Sequence, residues 1–139
     1  MDKAERAALR LIARAEQCSN GITRKLERRG CDKDSIREVV SRLCELDLIN
    51  DSRYARLWLQ SRLRFARSPM RLLSSLCARG IDHDDAQTAL NTVLDEDAEL
   101  VMLAKYIKKY GKNKTQPIKF ILKSEGFSTT SIKKYFNEE

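Results

Sequence analysis

Leu76-Cys77-Ala78-Arg79-Gly80-Ile81-Asp82 is one of three copies of the same corner between two helices. Leu26-Glu27-Arg28-Arg29-Gly30-Cys31-Asp32 and Leu122-Lys123-Ser124-Glu125-Gly126-Phe127-Ser128 are the others, spaced 50 and 46 residues apart at their glycines. Ile22, Leu72 or Ile118 stands four residues before each Leu, and Ile36/Val39/Val40/Leu43, Ala86/Ala89/Leu90/Val93 or Ile132/Tyr135/Phe136 follows each corner. A Gly just past a helix end supplies the positive φ that a Cβ would penalise. Asp32, Asp82 and Ser128 are then N-caps of the next helix, and the following apolar residues at i, i+3, i+4 and i+7 give it one buried face.

A corner of this kind needs a third helix to complete a core, so each copy reads as a three-helix module. The boundaries are 1–50, 51–94 and 95–139, with Asp95-Glu96-Asp97 opening the last module where acids favour a helix N-terminus. Modules of about 45 residues bury too little surface to stand alone. Stacking supplies the rest, and the fold class is all-α: three tandem three-helix modules stacked in an elongated array. The short junction Glu45–Asn50 keeps modules one and two in contact, while Tyr110–Pro117 is the most loop-like stretch and is expected to be the most mobile.

Composition agrees. With 42% hydrophobic residues but 6% aromatic, five Gly and two Pro, the chain has the material for aliphatic helical cores and little for a turn-dense β fold. Cys18, Cys31, Cys44 and Cys77 form no C-x-x-C pair, and the single His cannot complete a zinc site with them. Reduced thiols in a cytoplasmic protein are expected, with Cys44 and Cys77 as small core residues. No apolar run reaches signal-peptide or membrane-spanning length. Asp82, His83, Asp84 and Asp85 read as an ordinary helix first turn. No phosphate-binding loop or paired-carboxylate motif occurs, so neither an enzyme, a cofactor nor a metal site is expected.

Charge is the functional signal. Seven Arg and no acid lie between Ser52 and Ile81, and seven Lys and no acid between Leu100 and Ser124. Those fourteen positive charges exceed the net +7 of the whole chain, so the remainder carries −7. Segregation on this scale points to an anionic partner, either nucleic acid or an acidic protein groove. It nominates Arg53, Arg56, Arg64, Arg67, Arg71, Lys105, Lys108, Lys109 and Lys112 as contacts. At 100° per residue, Tyr54, Leu57, Trp58, Ser61 and Phe65 share one arc, expected to face a core. Arg53, Arg56, Gln60 and Arg64 share the far side, with Leu59 and Leu63 as a lesser apolar edge for stacking. Asp51 or Asn50 caps this helix, and Ile49 staples against Tyr54 in the second case. On the next basic helix Leu100, Leu103, Ala104 and Ile107 turn inward and the lysines outward.

Ile49-Asn50-Asp51-Ser52-Arg53-Tyr54-Ala55, Ser68-Pro69-Met70-Arg71-Leu72 and Leu76-Cys77-Ala78-Arg79-Gly80-Ile81 resemble the RecX family of bacterial RecA regulators. The family pattern runs hydrophobic–Asp–Asp–x–Arg–aromatic–Ala, then Gly-Pro with a basic residue and Ile, then Leu-x-x-Lys/Arg-Gly-Ile. The resemblance is closest over residues 46–90 and traceable beyond them. Ser68 departs where Gly is usual, and Ser75 where Glu is usual. The resemblance implies a monomeric cytoplasmic regulator, free of the membrane, that lies in the groove of the RecA–single-stranded-DNA filament. It would suppress strand exchange, ATP hydrolysis and coprotease activity, and so act in DNA repair, recombination and the SOS response. Single-stranded DNA inside the filament is a further candidate partner. The alternative from charge alone is a helical module that binds DNA by itself without sequence preference.

Overall fold

The computed structural model describes residues 2–111 and 117–137. Their elements are α1 (Lys3–Arg14), α2 (Ser19–Arg28), α3 (Lys33–Glu45), α4 (Asp51–Arg62), α5 (Pro69–Ala78), α6 (His83–Val93), α7 (Glu96–Tyr110), α8 (Ile118–Ser124) and α9 (Thr129–Tyr135). There is no strand among the described residues. The helices form stacked triplets, each built around one of the three corners. Gly30, Gly80 and Gly126 have φ of 82°, 93° and 94°. Asp32, Asp82 and Ser128 accept from the backbone N–H of Ser35, Asp84 and Ser131. Leu26, Leu76 and Leu122 are wholly buried. Ser68 caps α5 with Pro69 at its first position, and Asp95 caps α7 by accepting from Ala98 N–H.

Two apolar cores result. One joins Ala4, Ala8, Leu11, Ile22, Leu26, Ile36, Val39 and Leu43 of α1–α3 with Ile49. The other is continuous across α4–α9, with Ala55, Leu59, Leu72, Leu76, Ala86 and Leu90 meeting Met102, Leu103, Tyr106, Leu122, Phe127 and Ile132. Glu99 of α7 accepts from Ser128 Oγ and Ser131 Oγ, tying the start of α9 to α7.

The joints between successive triplets repeat as well. The carbonyl before Gly80 accepts from Asn20 Nδ2 at 3.1 Å, and the carbonyl before Gly126 accepts from Met70 N at 3.0 Å. Asn20 and Met70 occupy the same place in the first turns of α2 and α5. Each later corner therefore seats on the start of the preceding triplet's middle helix, and bare glycine backbone permits the approach. A Cβ on Gly80 would lie 2.3 Å from Asn20 Nδ2, and one on Gly126 would lie 3.0 Å from Met70 N, whereas Gly30 has nothing within 4 Å. At the second joint Ser68 Oγ also donates to Glu125 Oε2 at 2.8 Å, a bond the glycine usual at this position could not make. At the first, Asp51 Oδ1 accepts from Ser19 N at 2.7 Å and caps α2, whose own N-cap Cys18 makes no side-chain capping bond and instead donates from Sγ to the Arg79 carbonyl at 3.7 Å.

Several sequence expectations need correcting. Of the two caps expected for α4, Asn50 is the one used, accepting from Arg53 N at 2.9 Å. Ile49 belongs to the first core while Tyr54 packs on the second. The buried face of α4 is Ala55 and Leu59, with Leu57 and Phe65 exposed at 47% and 38% and Ser61 also at the surface. The expected arc is thus rotated by about 100°, one residue's advance along a helix. Small side chains explain the choice: Ala55 of α4 shares the second core with Ala86 and Ala89 of α6, and these two helices pack closely on each other. On α7 the buried residues are Met102, Leu103 and Tyr106, with Leu100, Ala104 and Ile107 only half-buried. Cys44 is exposed, Cys77 half-buried, and the buried cysteine is Cys18. Tyr135 is 39% exposed rather than inward. The expected mobile stretch mostly lies outside the described residues, since α7 continues to Tyr110.

Candidate partner-binding groove

Three recesses line up across the array and share walls. The first, of 310 Å³, opens between the first and second triplets against Arg24, Lys25, Arg28, Tyr54 and Arg79, with Glu16 at its side. The second, of 360 Å³, is bounded by Trp58, Arg62, Arg67, Ser75, Ala78 and Arg79. The third, of 560 Å³, lies between the second and third triplets and is lined by Phe65, Arg67, Arg71, Tyr106, Lys109, Tyr110 and Glu125 among others. Arg79 is common to the first two and Arg67 to the last two. The result is one basic groove that touches every triplet.

Aromatic rings hold its cations in place. Arg79 Nη1 donates to the Tyr54 hydroxyl at 3.0 Å. The Arg79 and Arg62 guanidinium carbons each lie 5.1 Å from the Trp58 ring centroid. Arg64 stands 4.9 Å over Phe65, and Lys109 Nζ 5.3 Å over Tyr110. Each such contact is worth about 0.5–1 kcal/mol at an exposed site, enough to favour one orientation of a long side chain. Tyr106 stacks on Tyr110 with centroids 4.8 Å apart. Burial first, and then the Glu125 charge, push the Tyr106 phenol above its ordinary range, so it stays a neutral hydroxyl in the third recess. Glu125 is the acid there, and it is already engaged by Ser68 and, at 3.9 Å, by Arg71.

Of the residues nominated from sequence, Arg67, Arg71 and Lys109 converge in the third recess, with Arg64 beside it on Phe65. Arg56, Lys105 and Lys108 are exposed but line none of the three recesses. Lys112 lies outside the described residues. Arg53 is not a free surface cation. Its Nε donates to Glu16 at 2.6 Å and its Nη1 to Asp47 at 3.2 Å, with Nη2 on the Asp47 carbonyl, so it ties the first triplet to the second. The Glu16 bond is the main reason its guanidinium holds its proton even more tightly than usual. Arg62, Arg79, Arg24, Lys25 and Arg28 line the groove without having been nominated from sequence. The Trp58/Arg62 i, i+4 spacing was the available signal for one of them. Trp58, expected in the core, is half-buried at the groove. Ser75, the second departure from the family pattern, lines the middle recess.

Residues 4–43 match the family model for the first three-helix domain of RecX, and residues 50–90 match that for the second. The chain belongs to the RecX family. It is 26% identical to the regulatory protein RecX of Caldanaerobacter subterraneus subsp. tengcongensis over 97% of its own length and 70% of that protein. It is 33% identical to the regulatory protein RecX of Treponema pallidum over 77% of its length and 66% of that relative. The crystal structure of RecX from Lactobacillus salivarius superposes with a TM-score of 0.75 at 24% identity, covering 97% of this chain and 93% of that one. That likeness establishes the shared fold. RecX membership places the chain among regulatory proteins.

Proposed function

We propose that this RecX-family chain binds the RecA–single-stranded-DNA filament and inhibits its recombinase, ATPase and coprotease activities, meeting the filament along the basic groove. The observation that carries this reading is the continuity of the groove through Arg79 and Arg67 across three stacked triplets. A long helical assembly is matched better by an extended cationic track than by one local patch. The part is that of a non-catalytic regulator, a cytoplasmic monomer whose modules span 1–50, 51–94 and 95–139. The basic side chains interleaved with Phe65, Trp58 and Tyr110 also favour a second reading, direct sequence-independent binding of a single strand.

A RecA ATPase assay on single-stranded DNA separates them. The first reading expects suppression at substoichiometric protein and physiological salt, without comparable binding to bare DNA. Arg67→Glu with Lys109→Glu should abolish the suppression while circular dichroism shows the fold intact. Arg71 is left unchanged in that variant because it faces Glu125. A parent protein that leaves the ATPase untouched but binds bare DNA would move the function to the second reading. A folded double variant as potent as the parent would remove the groove from the mechanism.

A further inference from the structure

The middle recess differs from the rest of the groove in what its donors lack. Trp58 Nε1 and Arg62 Nε are both shut off from solvent, and neither meets an acceptor among the described residues. A buried donor left without an acceptor is costly, so two in one place is a standing demand for one. The chain meets such demands with carboxylates elsewhere. Half-buried Arg53 is held by Glu16 and Asp47. Arg62 is half-buried too, yet no acid among the described residues lines its recess. Arg62 and Arg79 instead press against the same indole, with Arg67 completing the rim.

We propose that this recess receives the carboxylate of an Asp or Glu side chain presented by an acidic segment of a protein partner. A carboxylate is flat, and its two oxygens match the Nε/Nη edge of a guanidinium in a paired bond. Once the Arg62 side chain turns off the indole, its Nε, shut off in the free chain, can pair with the carboxylate while Arg67 and Arg79 neutralise it from the rim. The short side chains of Ser75 and Ala78 leave the room for that entry. A phosphodiester is tetrahedral and carries an ester arm on each side, so it suits the open part of the groove beside Arg71 and Lys109. A single acidic side chain seated among desolvated donors, ringed by charges still in water, has the form of an interface hot spot. The inference rests on the reading that the chain docks on a protein partner, and it identifies the chemistry that partner must present.

The chain has one tryptophan, Trp58, and it lines this recess, so its emission is a local probe of it. The probe is an acetylated, amidated hexaglutamate, titrated at low ionic strength without RecA or DNA, with inorganic phosphate and a 15-nucleotide oligothymidylate as parallel arms. A saturable change in Trp58 emission is expected with the peptide. Arg62→Gln should weaken it at least tenfold, and Arg79→Gln, at an exposed position, provides the same test if the first variant folds poorly. Arg56→Gln, on the far side of α4, should leave it unchanged. Ser75→Glu places a carboxylate inside the recess, so it should abolish the peptide response and raise the denaturation midpoint. Saturation by oligothymidylate but not by peptide would make the recess a nucleic-acid subsite and overturn the proposal. So would a peptide response unaffected by Arg62→Gln and Arg79→Gln, or no peptide response at all. Because no RecA is present, any of these results leaves the ATPase test of the filament reading standing by itself.

Discussion

Replacing each corner glycine by alanine isolates what the joints between triplets contribute. All three positions have positive φ, so each variant bears the left-handed penalty of a Cβ, about 1 kcal/mol or somewhat more. At Gly30 that is all, because the new methyl group would meet nothing within 4 Å. At Gly80 it would lie 2.3 Å from Asn20 Nδ2 and 2.5 Å from Asn20 Cβ, well inside contact distance. Asn20 must shift, and its 3.1 Å bond to the Arg79 carbonyl goes with it, adding about 0.5–1.5 kcal/mol. At Gly126 the obstacle is backbone, Met70 N at 3.0 Å, which cannot swing aside without stretching its own bond to the Glu125 carbonyl. Gly80→Ala and Gly126→Ala should therefore each cost about 1 kcal/mol more than Gly30→Ala. Urea denaturation followed at 222 nm gives the midpoints, with m-values checked for loss of cooperativity. In combination, Asn20→Ala and Gly80→Ala should cost less than their sum, because the bond is lost once. Equal losses at all three glycines would refute the seating of the corners on the preceding triplet.

Other expectations follow from the same contacts. Leu26→Ala should cost about 2–5 kcal/mol but leave Trp58 emission unchanged, because Leu26 lies in the first core. Leu76→Ala and Leu122→Ala should each disturb that emission, and a silent Leu122→Ala would mean that the second core is not shared. Arg53→Gln should lower the urea midpoint more than Arg56→Gln or Arg64→Gln, which should stay within about 0.5 kcal/mol of the parent. Equal effects from all three would return Arg53 to the free surface. Hydrogen bonds from Ser35, side chain first and then backbone, hold the Asp32 carboxyl below its ordinary 3.8. The unfolded chain thus takes up the proton more readily, so the contribution is complete above about pH 3.8 and is lost as pH falls through the lower folded value. Asp32→Asn should flatten that acid-side loss, measured as urea midpoints from about pH 5 down to pH 2.

The fold was legible because its signals were local and repeated. Gly30, Gly80 and Gly126, their caps and the Leu four positions earlier depend only on backbone geometry and helical spacing. The orientation of α4 was not legible, because Ala55 and Leu59 become the buried edge only when α6 brings Ala86 and Ala89 against them. The large aromatics of α4 and its end suggested the core from sequence, whereas Tyr54 and Trp58 pack on it only in part and, with Phe65, line the groove. The site was half readable for a similar reason. The acid-free run found Arg67, Arg71 and Lys109, which face one another across a boundary between triplets. Charge runs could not show that Arg53 is spoken for, since Glu16 lies 37 residues away and arrives through the fold. Nor could they lift Arg62 and Arg79 out of the run, since what distinguishes them is one indole between two guanidiniums.

The division into two cores bears on how the chain emerges from a ribosome. The first core draws its apolar side chains from residues up to Ile49, so α1–α3 can begin to gather once Asp51 has emerged to cap α2, while later residues are still being added. The segment from Asp51 to Leu94 has no such freedom, because Met102, Tyr106, Leu122 and Phe127 belong to its interior. At synthesis rates of roughly 5–20 residues per second, the corner at Phe127 follows Leu94 by roughly 2–7 seconds. Through that interval Leu59, Leu72 and Leu76 have only part of their eventual neighbours, and the acid-free arginine run around them keeps nascent copies apart by charge.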